Sequence, residues 1–240
     1  MIFDSYYEKT VAVLERIRTT QREQIAQAAA MAQRTVEAGG IIYIFGCGHS
    51  HLIALDNFYR AGGLCNVCPI LDESLMLHDG AAKSSKMEKM SGLAEPVLER
   101  YCLTEKDCLF VISTSGKNAV PVEMSQAAKA RGIPTVAVVS GAYFNDPSTM
   151  PKLYECVPVY IDNCVPHGDA VMELPGCDAP MGSVSTAASA FILQSVLLEA
   201  AAGAAKNGVK PPVYLSGNIP GGAEFNKALI REYMPRIKHL

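Results

Sequence analysis

The sequence has few charged residues and no marked excess of either sign. Charged residues make up 19% of the 240 positions, and the formal net charge is −3 at pH 7. A protein that mainly binds nucleic acid or an anionic membrane needs a basic surface, so this balance argues against both partners. The opening residues, Met1 to Ser5, lack a basic stretch, and Asp4 and Glu8 add acidic charge. We therefore expect no signal peptide and a cytoplasmic location.

One stretch lacks charge altogether, between residues 179 and 198. Its prolyl, glycyl, seryl, threonyl and glutaminyl residues make it too polar for a membrane span, and Glu199 ends it. We predict instead a helix, over about 183–206, that is buried in the core or in a subunit interface.

Patterns typical of disulfides and metal sites are also missing. The eight cysteines occur in a chain with no sign of secretion, where disulfides would form. Cys65 and Cys68 are a single C-x-x-C pair, and with Cys47, His49 and His51 they match no tetrahedral zinc pattern. Buried thiols in apolar strands are the better interpretation, with a zinc site as the less favoured alternative. We predict no metal and no cofactor.

What the sequence does contain is a regular alternation of apolar strands and helices. Short links between such elements predict a parallel sheet covered by helices on both faces. No linker or low-complexity segment interrupts the chain, so we expect one domain over residues 1–240. It begins with a helical segment to about residue 38 and ends with a helical extension from about residue 207. The predicted strands are 41–45, 67–71, 108–112, 135–139 and 154–161, and the later helices are 119–131, 183–206 and 223–234.

Two segments repeat one design, in which a turn of small residues joins an apolar strand to a helix. Ile41–Phe45 is followed by Gly46–Ser50, and Cys108–Ile112 is followed by Ser113–Asn118. Such a turn leaves backbone N–H groups free to point at an anion, and its hydroxyls add donors. Both turns fall at the carboxyl ends of strands, where open α/β sheets bind ligands. The pair predicts a polar ligand that carries a phosphate.

The second turn and its surroundings resemble a known family. Ile112–Gly116, followed by a helix and Ala128–Val138, resembles the second motif of sugar isomerase (SIS) domains, and Gly46–Ser50 is similar to the first motif. Phe58–Leu64, together with His167–Ala170, resembles a narrower subgroup of single-domain, largely uncharacterised proteins labelled phosphosugar or phosphoheptose isomerases. The resemblance covers about residues 35–200 for the domain and nearly the whole chain for the subgroup.

The resemblance implies a three-layer αβα sandwich with a five-stranded parallel sheet of the flavodoxin-like kind, assembled as a homodimer or homotetramer. It implies binding of a phosphorylated sugar or amino sugar, and an isomerase of the aldose–ketose type or a related enzyme of carbohydrate metabolism. A regulator or sensor that binds a phosphosugar without turnover is the alternative. A nucleotide-binding redox module is less well supported, because His51 stands where the third glycine of G-x-G-x-x-G would be.

Position by position, the resemblance assigns binding roles to the two turns. Arg60 stands where phosphoheptose isomerases carry a glutamate, which argues against that particular reaction. Asn118 replaces the last seryl residue of the common Ser-Gly-Asn-Ser motif but can still donate hydrogen bonds. The resemblance implies that Ser113, Thr114 and Ser115 bind the phosphate and that Ser50 belongs to the first motif. From their positions beside these residues we also expect Lys117 and Asn118 to bind the phosphate, and Gly48, His49 and Ser50 to bind the sugar. Asn218, in a second glycine-rich loop, is a further candidate for sugar binding, although an ordinary glycine-rich turn explains that loop equally well.

Isomerisation also requires a group that moves a proton between neighbouring carbons. His78 and His167 each follow a predicted strand and have an acidic neighbour, Asp79 or Asp169, so both are candidates for this role. A histidine that merely caps a turn would show the same pattern. Asp56, on the helix after the first motif, is the third candidate.

Two glutamates remain as further acidic alternatives, Glu88 and Glu95. Glu88 follows a run of lysyl and seryl residues, which favours a solvent-exposed helix face over a catalytic role.

Overall fold

The computed structural model describes all 240 residues. Five strands form one parallel sheet in the order β2-β1-β3-β4-β5. Their continuous apolar runs suit strands that are covered on both faces. The strands are β1 (Ile42–Gly46), β2 (Val67–Ile70), β3 (Cys108–Ile112), β4 (Thr135–Val139) and β5 (Val159–Asp162).

Helices connect the strands and cover both faces of the sheet. On one face, Ile42, Ile44 and Phe110 pack against the first, second and eighth helices; on the other, Tyr43 and Phe45 pack against the fifth and sixth helices and the carboxy-terminal segment. This three-layer αβα arrangement confirms the predicted fold class. The helices are α1 (Ile2–Thr20), α2 (Arg22–Glu37), α3 (His51–Asn57), α4 (Ala81–Met87), α5 (Ala94–Leu98), α6 (Ala119–Ala130), α7 (Leu153–Cys156), α8 (Ser185–Lys206) and α9 (Gly222–Tyr233).

Three elements differ from the prediction because tertiary contacts override local pattern. The long first helix is interrupted at Gln21, whose side-chain Oε1 accepts a hydrogen bond from the Asp162 backbone N–H at 3.0 Å. Residues predicted as the start of the fifth strand instead form α7. The Glu155 carboxylate caps the amino terminus of this helix by accepting a hydrogen bond from the Lys152 N–H. An antiparallel hairpin, β6 (Ala170–Met172) with β7 (Met181–Ser183), was not predicted at all.

The uncharged segment forms α8, which lies along α2. By length and composition α8 is one helix that could cross a membrane, a property it shares with core helices of globular proteins. One face of α8 is fully buried through Ala188, Ile192, Val196 and Ala200, whereas Leu198 on the same helix is 65% exposed. The helix therefore covers the sheet with one side and leaves an apolar side uncovered.

Asp107 is a buried carboxylate that links the carboxy-terminal segment to the chain at the amino-terminal ends of β1 and β3. Asp107 is 1% exposed, and its oxygens accept hydrogen bonds from the Ile41 N–H at 2.7 Å, the Thr104 N–H at 2.6 Å and Arg236 Nη2 at 2.7 Å. Ile41 is buried, so the loss of the oxygen that its N–H binds leaves a buried donor without a partner.

Replacing Asp107 with asparagine is expected to destabilise the fold by about 1–3 kcal/mol, because the amide nitrogen cannot accept and Arg236 loses its counter-charge. Urea unfolding measures the change. Asp79→Asn is the matched control: Asp79 forms an exposed ion pair with Lys83, and we expect its loss to cost about 0.5 kcal/mol or less. Equal costs for both variants would contradict the structural role of Asp107.

Candidate functional site

A polar cavity of about 240 Å³ lies at the carboxyl ends of β1 and β3. The chain runs from β1 to β2 on one side and reaches β3 on the other, so this is the point where the strand order reverses. Both predicted turns contribute to the cavity. Its lining residues are Cys47, His49, Ser50, Glu88, Ile112, Ser113, Thr114, Ser115, Asn118, Tyr143, Gly168, Asp169 and Ser185.

The turn after β3 presents a concentrated set of hydrogen-bond donors. Gly116 has φ +60°, and a Cβ there would lie 3.2 Å from Val139 Cγ1, so a side chain would be both strained and crowded. The Gly116 N–H donates to Ser113 Oγ at 3.2 Å. The backbone N–H groups of Thr114, Ser115, Lys117 and Asn118 make no hydrogen bond within the chain. Together with the start of α6, they form an arrangement suited to a phosphate group.

The turn after β1 is tight for a steric reason. A Cβ on Gly46 would lie 2.6 Å from the carbonyl carbon of Ser50, so only glycine allows this approach. The Ser50 N–H closes the turn on the Cys47 carbonyl at 3.0 Å, and Gly48 has φ +56°. His49 and Ser50 thereby reach the cavity, while the buried His51 ring contacts the Gly48 carbonyl through Nδ1.

Glu88 is a half-buried carboxylate in the cavity wall. It caps α4, and its carbonyl accepts the Val120 N–H at 3.0 Å, which ties it to the start of α6. Burial raises the pKa of Glu88 above its ordinary value, and the facing Asn118 amide acts in the opposite direction. The negative charge of Glu88 also contributes, after burial itself, to a raised pKa of the Cys47 thiol. A carboxylate with a raised pKa in a cavity is a candidate acid or base.

Asp169 is a second carboxylate in the wall, and its oxygens are already engaged. With φ +66°, it accepts hydrogen bonds from the Val184 and Ser185 N–H groups at 3.0 and 2.8 Å and from Ser185 Oγ at 2.6 Å. It therefore caps α8 and compensates the positive end of that helix. The amino terminus of α6, by contrast, has no side-chain cap, and its Asn118 N–H makes no hydrogen bond within the chain.

Lys117 and His167 meet at the rim rather than in the cavity. Lys117 Nζ lies 2.6 Å from Asp146 Oδ2, and His167 Nε2 lies 3.2 Å from the same oxygen. The His167 ring stacks on Tyr143, which does line the cavity, with ring centroids 4.3 Å apart. The hydrogen bonds from Lys117, and after it from His167, hold the pKa of Asp146 below its ordinary value. The Lys117 ammonium is thus paired with Asp146 in this structure, and its contact with a phosphate stays a prediction.

Four other predicted site residues do not line the cavity, and one of them is Gly48, in the turn after β1. His78 follows the edge strand β2 and lines a separate cavity of about 700 Å³ with Arg100 and His239. Asp56 forms an ion pair with Arg60. Asn218 is exposed, and its N–H donates to Ser216 Oγ at 3.3 Å. The alternative acid Glu95 pairs with Arg131 on the surface. The structure therefore brings the two predicted turns together but places these candidates elsewhere.

The cysteines and histidines form no metal-binding cluster: no group of three or more His, Cys, Asp or Glu residues is close enough to hold an ion. All eight thiols are free. Burial raises the pKa of Cys65 and of Cys68 to about 12, so both thiols are protonated and unreactive at neutral pH.

Residues that the sequence did not point to complete the wall. Tyr143, Gly168 and Ser185 come from loops after β4 and β5 and from the start of α8. No local motif marks Tyr143 or Ser185, whereas Gly168 lies in the His167–Ala170 tract but was assigned no role. Only their place in the fold could have indicated these three residues, because all of them lie near the carboxyl ends of the strands, where open α/β sheets bind ligands.

Comparisons with known proteins match the sequence to a family and the fold to solved structures. Residues 5–140 match the SIS domain family. A UPF0309 protein from Geobacillus thermodenitrificans is 42% identical over 240 residues, covering 98% of this chain and 96% of that protein. The phosphoheptose isomerase GmhA from Neisseria gonorrhoeae superposes with a TM-score of 0.54 at 16% identity, over 81% of this chain and 95% of that one. The Vibrio vulnificus NanR protein, solved in complex with ManNAc-6P, superposes with a TM-score of 0.51 at 14% identity, over 98% of this chain and 69% of that one. At such identities the two structures show a shared fold.

Proposed function

This chain belongs to the SIS domain family, and we propose that it binds a phosphorylated sugar or amino sugar in the cavity between β1 and β3. The observation that carries the proposal is the turn at Ser113–Asn118, with its hydroxyls and unpaired N–H groups ahead of α6. The phosphate contacts Ser113, Thr114, Ser115 and Asn118. The two fold neighbours support the ligand class, since one is a phosphoheptose isomerase and the other was solved with ManNAc-6P.

The sugar part of the ligand extends towards His49, Ser50 and Gly48. A cavity of about 240 Å³ suits a single small sugar. Seryl and imidazole groups donate and accept hydrogen bonds, as hydroxyl recognition requires. Lys117 acts indirectly, by holding Asp146 and the Tyr143 loop at the rim.

We further propose that the protein is an enzyme that isomerises this ligand, with Glu88 as the group that moves the proton. The reaction takes a proton from the carbon beside a carbonyl and returns it to the neighbouring carbon. Among the candidate bases, Glu88 is supported by its position in the cavity wall and by its raised pKa. The Asn118 amide faces Glu88 and orients its carboxylate. His49 donates a hydrogen bond to the carbonyl oxygen of the sugar, which becomes negative during the reaction.

A regulator or sensor is the second candidate function. The observation that favours it is that neither of the two histidines predicted to move the proton lines the cavity: His167 contacts Asp146 at the rim, and His78 lies in another cavity. A binding protein needs only the anion turn.

One experiment tests the function and separates these two candidates. Phosphosugars are screened by thermal shift, and each ligand that stabilises the protein is then tested for turnover, with solvent deuterium incorporation at the carbon beside the carbonyl as the signature. Binding with turnover supports the isomerase, binding without turnover supports the regulator, and no binding by any phosphosugar contradicts both.

We also propose that the protein assembles as a homodimer or homotetramer through the uncovered faces of α1 and α8. Phe3 and Tyr7 on α1 are 70% and 61% exposed, and Leu198 on α8 is 65% exposed. A groove of about 670 Å³ runs between α2 and α8, beside Phe191. Burial of such apolar surface drives association between copies of one chain.

Replacing Leu198 with glutamate is expected to weaken self-association about tenfold or more, because a charge would have to be buried without a partner. Light scattering over a concentration series measures the change. Met90→Glu is the matched control, since Met90 is another exposed apolar side chain, 51% exposed, on neither helix. A wild-type protein that is monomeric at micromolar concentration would contradict the assembly.

A further inference from the structure

Asn163 is a buried residue that contacts the proposed phosphate turn from behind. It follows β5 directly and has no exposed surface. Its backbone N–H donates to the Val139 carbonyl at 2.7 Å, which fixes the main chain beside β4. Its side-chain amide reaches Thr114 on the far side of that strand, with Nδ2 3.4 Å from Thr114 Oγ1.

The orientation of this amide is dictated by the backbone. Asn163 Oδ1 accepts the Val165 N–H at 3.2 Å, and an N–H group can only face an acceptor. The amide nitrogen must therefore face Thr114. A nitrogen with two hydrogens can only donate, so the Thr114 hydroxyl oxygen is obliged to accept.

Ser140 completes a closed ring of hydrogen bonds around this contact. The Ser140 N–H donates to the Thr114 carbonyl at 2.9 Å, and its hydroxyl donates to the Val165 carbonyl at 2.6 Å. Val165 in turn binds Asn163, and Asn163 binds Thr114. Ser140 is 1% exposed. The ring locks the turn after β3 to the ends of β4 and β5.

We propose that Asn163 is a positioning residue that sets the direction of the Thr114 hydroxyl. Because Thr114 Oγ1 accepts from Asn163, its own hydrogen is left to donate into the cavity. Ser113 follows the same rule, since its Oγ accepts from the Gly116 N–H. Two hydroxyls thus have one lone pair occupied and their hydrogens free to donate before the ligand arrives, which favours an anion over a cationic group at this position. The inference rests on the proposed phosphate site.

The test is a double-mutant cycle between Asn163 and Thr114, with inorganic phosphate and one phosphosugar as ligands. Asn163→Asp keeps the oxygen that accepts from Val165 but replaces the donating nitrogen with a second accepting oxygen. The Thr114 hydroxyl then donates its hydrogen to this carboxylate and no longer into the cavity. We expect the Kd for both ligands to rise about tenfold or more. Thr114→Ser keeps the hydroxyl and should remain close to wild type, whereas Thr114→Val should lose about as much affinity as Asn163→Asp.

The decisive readout is the coupling between the two positions. If Asn163 acts through the Thr114 hydroxyl, Asn163→Ser, which removes the amide without adding a charge, should raise Kd when Thr114 is present and should cost about twofold or less in a Thr114→Val background, where no hydroxyl remains. An unchanged Kd in Asn163→Ser with Thr114 present, or an equal rise in both backgrounds, would overturn the inference and leave the phosphate site standing. Asn163→Asp in the Thr114→Val background measures the repulsion between the added charge and the anionic ligand, which is subtracted from the effect of the aspartate variant. A wild-type protein that binds neither ligand would overturn the phosphate site itself.

Discussion

Replacing Glu88 with glutamine is expected to lower kcat on the identified phosphosugar by about 10²- to 10⁴-fold, with Kd nearly unchanged. Glutamine keeps the shape of the side chain and its contact with Asn118 but cannot take a proton. The variant should therefore bind the ligand as the wild type does but transfer the proton more slowly. Turnover and ligand-induced thermal shift, measured side by side on the same variant, separate the two effects.

The pH profile gives an independent check on Glu88. A base must be deprotonated to act, so the rate rises with pH through its pKa. Because burial raises the pKa of Glu88, the acid limb of kcat/KM should lie above the ordinary glutamate value of 4.5 and disappear in Glu88→Gln. A residual rate with an unshifted acid limb in that variant would contradict the assignment.

Three matched substitutions complete the experiment. Glu95→Gln changes a surface glutamate paired with Arg131 and should leave kcat unchanged. His78→Gln should also be silent, since His78 lines a different cavity. His167→Gln should have a modest effect, through the loss of its contacts with Asp146 and Tyr143. A large loss in either histidine variant, with full activity in Glu88→Gln, would transfer the proton step to that histidine.

Replacing Ser113 and Ser115 together with alanine is expected to raise the Kd for a phosphosugar by about 10²- to 10⁴-fold. Each hydroxyl that binds a charged phosphate oxygen contributes about 1.5–3 kcal/mol, and the Ser113 change also leaves the Gly116 N–H without its acceptor. At a ligand concentration of about a hundred times the wild-type Kd, the stabilisation of about 2.7 kcal/mol should largely vanish. Thermal shift and isothermal titration measure both quantities.

Lys117→Ala is the control that distinguishes direct contact between the phosphate and the seryl hydroxyls from long-range attraction by a positive charge. The Lys117 ammonium is paired with Asp146, so its loss should change Kd by about threefold or less. Equal losses in Lys117→Ala and in the double seryl variant would indicate long-range attraction rather than contact. An unchanged Kd in the double variant would mean that the phosphate binds elsewhere.

Local chemistry allowed much of the fold to be predicted from the sequence. Each buried strand is a continuous apolar run, because it is covered on both faces, and this holds for β1, β3 and β4. The turns after β1 and β3 could be recognised because their requirements are local. Gly46 must lack a side chain, Gly116 must adopt φ +60°, and the hydroxyls must be adjacent. For the same reason, the two turns could be expected at one edge of a parallel sheet.

Only the tertiary structure decided which side chains share the cavity. Glu88 lies in a polar segment whose pattern indicates a solvent-exposed helix, and the bond between its carbonyl and the Val120 N–H brings it to α6. Lys117 has a partner, Asp146, that is distant in sequence. His78 follows a strand as expected, but β2 is an edge strand, away from the reversal between β1 and β3. Sequence pattern thus determined the elements and both turns, because these depend on neighbouring residues. The partners of each charged group depend on contacts between distant segments, and packing alone fixed them.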